Sequence, residues 1–373
     1  MRRRIRAAAG TVAAAALLGC GDGPTGEPLT VTIPAGAGLA EVVDTLTSRR
    51  IVTRPTLFRL YVRVRGADTE VRAGRYSLRR GEAWEKIVDD LTAGRVLTEP
   101  LTIPEGFTLD RMVPRISAIT GVSEDSVRAV VDADSAHVEW GVPGPGLEGY
   151  LFPDTYRFAR GTSVARVIAA MTDRYHAFWT PARRARLDSL GMTEGELVTL
   201  ASIVQAEARR TDEMPLIAGV YQNRLDRGYP LQADPTVLYA LGGPRERLLY
   251  AAIDSVADSP YNTYATVGLP PGPIGAPGEL ALTAALHPAD TDYFYFVARP
   301  TGEHVFTRTL AEHNRAKARA RREWEQARAE ARSSSDDAER PDTADTTGGP
   351  GRRPAPTDGA RPLDPRGSGP PDA

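Results

Sequence analysis

The pattern T-I-P-x-G-x-x-L occurs twice, as TIPAGAGL from Thr32 to Leu39 and as TIPEGFTL from Thr102 to Leu109, seventy residues apart. Each copy follows a short β-branched run, breaks at a Pro/Gly turn and opens a stretch with apolar residues at helical spacing. The spacing is carried by Leu39, Val42, Val43 and Leu46 in the first copy and by Leu109, Met112 and Ile116 in the second. Two strand-turn-helix units therefore set the fold class as α+β. Between them the pattern predicts a helix over Thr56 to Arg65, a strand at GRYSL and a helix at AWEKIVDDLTAG, closed by Gly94 as its C-cap. Residues 29–98 thus read as a small α+β module. Residues 99–332 read as a second, mainly helical domain with long loops. Its helices are predicted at about Asp110 to Ala118, Ser123 to Asp132, Ser163 to Phe178, Pro181 to Ser189, Thr193 to Arg210 and Met214 to Arg227. Loops rich in Gly, Pro and Tyr separate them, and YFYFVARP and HVFTRT, joined by TGE, predict a hairpin.

Both ends of the 373-residue chain fall outside these domains. MRRRIRAAAGTVAAAALLGC has a basic start, an apolar run from Ala7 to Leu18 and a small residue before cysteine, the pattern of an export signal over residues 1–20. The apolar run is short for a membrane span. Its end, Leu17-Leu18-Gly19-Cys20, resembles a bacterial lipobox, which implies acylation of Cys20 and a linker over residues 21–28. Cys20 is the only cysteine, so an intramolecular disulfide and a cysteine-based zinc site are excluded. The charged run AEHNRAKARARREWEQARAEAR predicts a terminal helix, anchored through Trp324 or frayed, and Ser333 to Ala373, with one Leu and no aromatic residue, predicts a disordered tail. A net charge of −2 without a basic block argues against nucleic acid as a partner.

Within LVTLASIVQAEARR, residues 100° apart place Leu197, Leu200, Ala201, Ile203, Val204 and Ala208 in one apolar arc, and Glu207 falls inside it. A carboxylate there is desolvated, ion-paired with a neighbour such as Arg209, Arg210 or Arg224, or exposed in a cleft. Histidines 137, 176, 287, 304 and 313 lack metal-ligand spacing, so no metal or cofactor is expected, and His304 and His313 read as structural hydrogen-bonding residues. The chain also lacks a GxSxG elbow and a P-loop. What remains are loops dense in Tyr, Asn, Gln, Asp and Pro. Flat rings beside amides and carboxylates suit a sugar, and the same composition also suits structural turns with buried tyrosines.

Five blocks taken together, EGYLFPDTYRF (Glu148 to Phe158), LASIVQAEA (Leu200 to Ala208), VYQNRLDRGYPLQADPTVLYAL (Val220 to Leu241), SPYNTYATVGLPPGPIGAPG (Ser259 to Gly278) and YFYFVARPTGEHVFTRTLAEHN (Tyr293 to Asn314), resemble the endolytic murein transglycosylases of the YceG-like family. The resemblance spans about Leu29 to Lys317. It implies a LysM-like peptidoglycan-binding subdomain over residues 29–98 and a lytic transglycosylase that cuts the β-1,4 bond after N-acetylmuramic acid in nascent glycan strands, leaving 1,6-anhydro ends.

By the same resemblance, Glu207 is the catalytic acid/base, and Tyr150, Asp154, Gln232, Asp234, Tyr261, Asn262 and Tyr264 are substrate-binding candidates. Gly268, Pro270, Pro271, Gly272 and Pro273 would shape the cleft wall. The sequence departs from the family pattern at Gln205, often a Glu, and at Tyr229, where Met is common. Penicillin-binding synthases are implied as partners, and a membrane-anchored site of action facing the periplasm is implied as location, in the inner membrane or, for a lipoprotein, the outer. Two further readings stay open: a muramidase using Glu207 as acid with Asp154 or Asp234 as base, and a peptidoglycan-binding lipoprotein without activity.

Overall fold

A computed structural model describes residues 24–338 except 244, 246 and 247. Cys20 with its lipobox, and the stretch from Glu339 onward, lie outside the described residues. Strand β1 (Thr25–Ile33) leads into the first repeat, and α1 (Leu39–Ser48) leaves it. The same succession recurs at β3 (Glu99–Thr102) and α4 (Leu109–Thr120). Gly36 and Gly106, which share the fifth position of the repeat, take φ values of 77° and 72°. That left-handed region favours glycine, which explains why both copies need it. Ile33 and Ile103, which share the second position, are both buried and each anchors its own core.

The first module continues with α2 (Pro55–Val64), β2 (Gly74–Arg80) and α3 (Trp84–Ala93). β1 pairs antiparallel with β2, setting Val31 opposite Tyr76 and giving a β-α-α-β order. Val42, Val43 and Leu46 of α1 close over Phe58, Tyr76, Leu78 and Trp84. Gly94 caps α3 at φ 68°. This core and the one beginning at Leu101 share no buried residue.

The larger part opens with α4, followed by α5 (Glu124–Val131), the short α6 (Ala136–Glu139) and β4 (Thr155–Phe158), which pairs antiparallel with β3. Then come α7 (Val164–Phe178), α8 (Pro181–Leu190) and α9 (Glu194–Glu207). A capping box starts α9: Thr193 accepts from the Glu196 N–H, and the Glu196 carboxylate accepts from Thr193. Every residue from Leu197 to Val204 is buried, so each large aliphatic side chain contributes roughly 1.5–3 kcal/mol to holding α9 as the central element. It packs against α10 (Met214–Asp226), α11 (Asp234–Ala240) and α13 (Glu279–Leu286), with α12 (Tyr250–Asp254) lying between α11 and α13 in the chain. A hairpin of β5 (Tyr295–Ala298) and β6 (His304–Thr307) follows, then α14 (Leu310–Ala338).

Helices α9, α13 and α14 differ from the sequence reading, the first two for physical reasons. Helix α9 ends at Glu207 rather than Arg210, because Ala208 turns extended (φ −69°, ψ 123°) and redirects the chain into α10. Helix α13, ELALTAAL, is apolar on almost every side and carries no periodic signal, which is how a fully buried helix reads. Helix α14 runs past Arg332 to Ala338. Among the described residues no helix is long and apolar enough to cross a membrane.

Candidate active site

Glu207 is the last residue of α9, and its position there decides its chemistry. The buried face of α9 carries it inward, and the helix end opens it onto a cleft of about 640 Å³. Protein atoms crowd the carboxyl on its inner sides while its cleft side stays open, leaving the residue half-buried. Its Oε1 accepts a 2.8 Å hydrogen bond from the hydroxyl of Tyr221 on α10. Among the described residues Oε2 has no such donor, so this oxygen is available to a ligand. Burial pushes the carboxyl pKa up to about 7, the nearby Asp234 charge adds to the rise, and the Tyr221 hydrogen bond and Arg224 hold it back. The unsatisfied carbonyls at the helix C-terminus disfavour a negative charge there as well.

A frame of paired groups surrounds this acid. Arg224 is buried under the cleft, where its Nε donates to the Phe294 carbonyl at 2.9 Å and Nη1 donates to that of Leu231. Its guanidinium also lies 5.7 Å from the Tyr229 ring and 5.4 Å from that of Tyr295. Asp234, in the first turn of α11, accepts a 2.5 Å hydrogen bond from the Tyr264 hydroxyl. The β5–β6 hairpin supplies Tyr295, Phe296 and His304 to the wall, and α14 supplies His313, Asn314 and Lys317. His304 is held by Glu213, whose Oε2 lies 2.7 Å from its Nδ1. His313 stacks on Tyr295 at 5.1 Å, and its buried Nδ1 finds no hydrogen-bond partner among the described residues, so that nitrogen does not make the structural hydrogen bond expected of the ring.

Of the seven substrate-binding candidates, Gln232, Asp234 and Tyr264 line this cleft, and the other four do not. Tyr150 is only 1% exposed, with its hydroxyl donated to the Pro143 carbonyl and its ring edge-on to Tyr175 at 5.3 Å. Asp154 caps its own turn through Thr155 N–H at 2.7 Å and pairs with Arg174 at 3.1 Å. Asn262 is buried, and its amide bonds the Ile253 and Val256 carbonyls and the Tyr264 N–H, so it shapes the loop that presents Tyr264. Tyr261 packs against Tyr239 with ring centroids 4.9 Å apart.

The Pro/Gly loop is also placed differently from the expectation. Ser202 and Gln205 of α9 accept from the N–H groups of Ile274 and Gly278, at 3.1 and 3.0 Å. Residues 268 and 270–273 do not line the Glu207 cleft. Gln205 lies about 160° around the helix from Glu207. Its departure from Glu therefore falls on a loop-pinning contact and leaves the acid untouched. The sequence reading missed Tyr221, which sits in a helix with no polar periodicity to mark it, and the α14 residues, which are distant in the chain.

Replacing Tyr221 with Phe removes the hydrogen bond that favours the ionised Glu207. The Glu207 pKa then rises further, and the alkaline limb of kcat/KM moves to higher pH by about half a unit or more. A pH–rate profile with an unmoved alkaline limb would contradict this role.

The fold and the cleft define a class. The chain belongs to the YceG-like family, whose model matches residues 31–319. An endolytic murein transglycosylase of Bacillus subtilis (strain 168) is 35% identical over 305 residues, covering 78% of this chain and 84% of that protein. Another from Streptococcus pneumoniae serotype 2 (strain D39 / NCTC 7466) is 32% identical over 329 residues, covering 79% of this chain and 58% of that protein. A crystal structure of a yceG-like protein from Listeria monocytogenes matches with a TM-score of 0.55 at 33% identity, covering 78% of this chain and 98% of that one.

Proposed function

We propose that this protein is an endolytic lytic transglycosylase of peptidoglycan in which Glu207 is the single catalytic acid and base. The observation that carries this reading is one carboxyl on the wall of a cleft, poised near neutrality by burial, with one oxygen held by Tyr221 and the other without a protein donor among the described residues. The protonated carboxyl delivers its proton to the glycosidic oxygen as the bond from C1 of N-acetylmuramic acid breaks. The resulting carboxylate takes the proton of the C6 hydroxyl as that oxygen bonds to C1, which closes the 1,6-anhydro ring and restores the acid. No water is consumed, so the paired carboxylates of most glycosidases are not required. Gln232, Asp234, Tyr264 and the aromatic wall hold the sugars. In this reading the β-α-α-β module binds glycan strands, Cys20 carries a lipid anchor, and the cleft faces nascent strands outside the cytoplasmic membrane.

One specific observation favours a second reading. Asp234 lines the same cleft and bears electrostatically on Glu207, so it could serve as the base of a hydrolase, a role Asp154 cannot fill from outside the cleft. Digestion of glycan strands in ¹⁸O-labelled water, with products reduced at once by borohydride, separates the two. The transglycosylase leaves new ends without label, whereas one labelled oxygen per cut would assign a hydrolase.

A further inference from the structure

Two histidines, His304 and His313, line the cleft, and they differ in what they leave open to a ligand. The unpartnered Nδ1 of His313 is sealed inside the protein. His304, the first residue of β6, is gripped twice by one carboxylate. Glu213, which precedes α10, accepts from the His304 backbone N–H at 3.0 Å through Oε1, and its Oε2 lies 2.7 Å from the ring Nδ1. The His304 side chain is only 3% exposed, and its ring stands edge-on to Phe296 at 5.4 Å. Phe296 is edge-on at 5.7 Å to Tyr221, whose hydroxyl holds Glu207. His304 Nε2 has no hydrogen-bond partner among the described residues and, unlike His313 Nδ1, is not sealed away.

An ionised carboxylate only accepts hydrogen bonds, so Glu213 keeps the ring proton on Nδ1 and leaves Nε2 of the neutral imidazole as an acceptor. The backbone N–H bonded to the same carboxylate fixes the direction in which it faces. An acceptor held this way discriminates little among hydroxyls, which donate and accept alike. It is matched to a group that only donates, and the sugar rings of peptidoglycan carry one such group, the acetamide N–H. We infer that His304 Nε2, with its tautomer set by Glu213, accepts the acetamide N–H of a sugar bound in the cleft, so that the enzyme reads an N-acetyl group at this subsite. The inference rests on the transglycosylase reading above and leaves both proton transfers to Glu207.

The experiment uses the full chain labelled with ¹⁵N in histidine and carrying Glu207→Gln, so that un-crosslinked glycan strands bind without being cut. Signals lost on His304→Phe assign the ring. In the free protein His304 is expected to be protonated at Nδ1 and bare at Nε2, and saturating strands move the Nε2 resonance toward that of a hydrogen-bonded nitrogen while the proton stays on Nδ1. Glu213→Gln then inverts the ring. Its amide oxygen keeps the backbone N–H, which can only donate, so its amino group turns to Nδ1 and the ring proton moves to Nε2. With N–H facing N–H, Glu213→Gln alone is expected to raise KM about fivefold to tenfold with kcat nearly held, the scale of one neutral hydrogen bond lost. A proton on Nε2 in the free protein, an Nε2 resonance unmoved by saturating strands, or an unchanged KM in a Glu213→Gln protein with the inverted ring would each overturn the inference. A merely structural pair would lower the stability of Glu213→Gln and leave KM where it was. Strands neither bound by Glu207→Gln nor cut by the wild-type protein would instead bring down the transglycosylase reading, and this proposal with it.

Discussion

Glu207→Gln is expected to lower the cleavage rate by about a thousandfold, within the range general acid–base catalysis supplies, while leaving substrate binding nearly intact. The amide keeps the shape of the carboxyl and can still accept from the Tyr221 hydroxyl, but it carries no titratable proton. The same variant should gain stability in alkaline solution. In the folded protein the Glu207 pKa stands at about 7, above its ordinary value of 4.5. The wild-type protein therefore holds this proton more tightly when folded, and the associated stability is present in full below about pH 4.5 and is lost as pH rises through 7. Above pH 7 the variant should be more stable than wild type by about 2 kcal/mol, since a tenfold difference in proton affinity between folded and unfolded chain is worth about 1.4 kcal/mol and loss of cleft-side solvation is incomplete. Glu148 is likewise half-buried, with its pKa pushed up to about 7 by desolvation, so the wild-type slope reflects both groups and the difference between proteins isolates Glu207. Chemical denaturation at pH 5 and pH 8.5 reads this directly, and an unchanged pH slope in the variant would mean that Glu207 is not a neutral acid in the fold.

Arg224→Ala should produce the largest loss of stability at the site, about 3–5 kcal/mol. Arg224 is 6% exposed, and its guanidinium bonds the carbonyls of Phe294 and Leu231 and lies between Tyr229 and Tyr295. Truncation leaves both acceptors unpaired and the two rings without their common neighbour. Arg224→Lys should recover only part of the loss, because one ammonium does not reproduce the planar fork. In the molecules that remain folded, removing a cation that opposes the rise moves the Glu207 pKa still higher. Urea midpoints at constant m-value measure the loss, and a deficit under about 1 kcal/mol would remove Arg224 from its place as the cleft's internal support.

Much of this architecture was legible in the chain, and the gaps have physical reasons. The repeated turn was readable because Gly36 and Gly106 are demanded by backbone geometry, a local property. Glu207 was readable because a carboxylate among aliphatics violates the helical pattern. The tyrosines were harder. Tyr150 and Tyr264 sit in loops of similar composition, yet one is sealed in the core and the other bonds Asp234 in the cleft. Composition does not say which way a loop residue faces. Asn262 is a substrate-binding candidate by resemblance, but folding its own loop uses its amide. Lys317 lies more than a hundred residues beyond Glu207 and reaches the same cleft only through tertiary packing.

The most direct test of the account is digestion of long, un-crosslinked glycan strands by the wild-type protein and by Glu207→Gln side by side, with the new ends identified by mass spectrometry. The account predicts internal fragments ending in 1,6-anhydro-N-acetylmuramic acid with the wild-type protein and none with the variant. Cleavage that persists in the variant would contradict it, since the chemistry would then belong to another group.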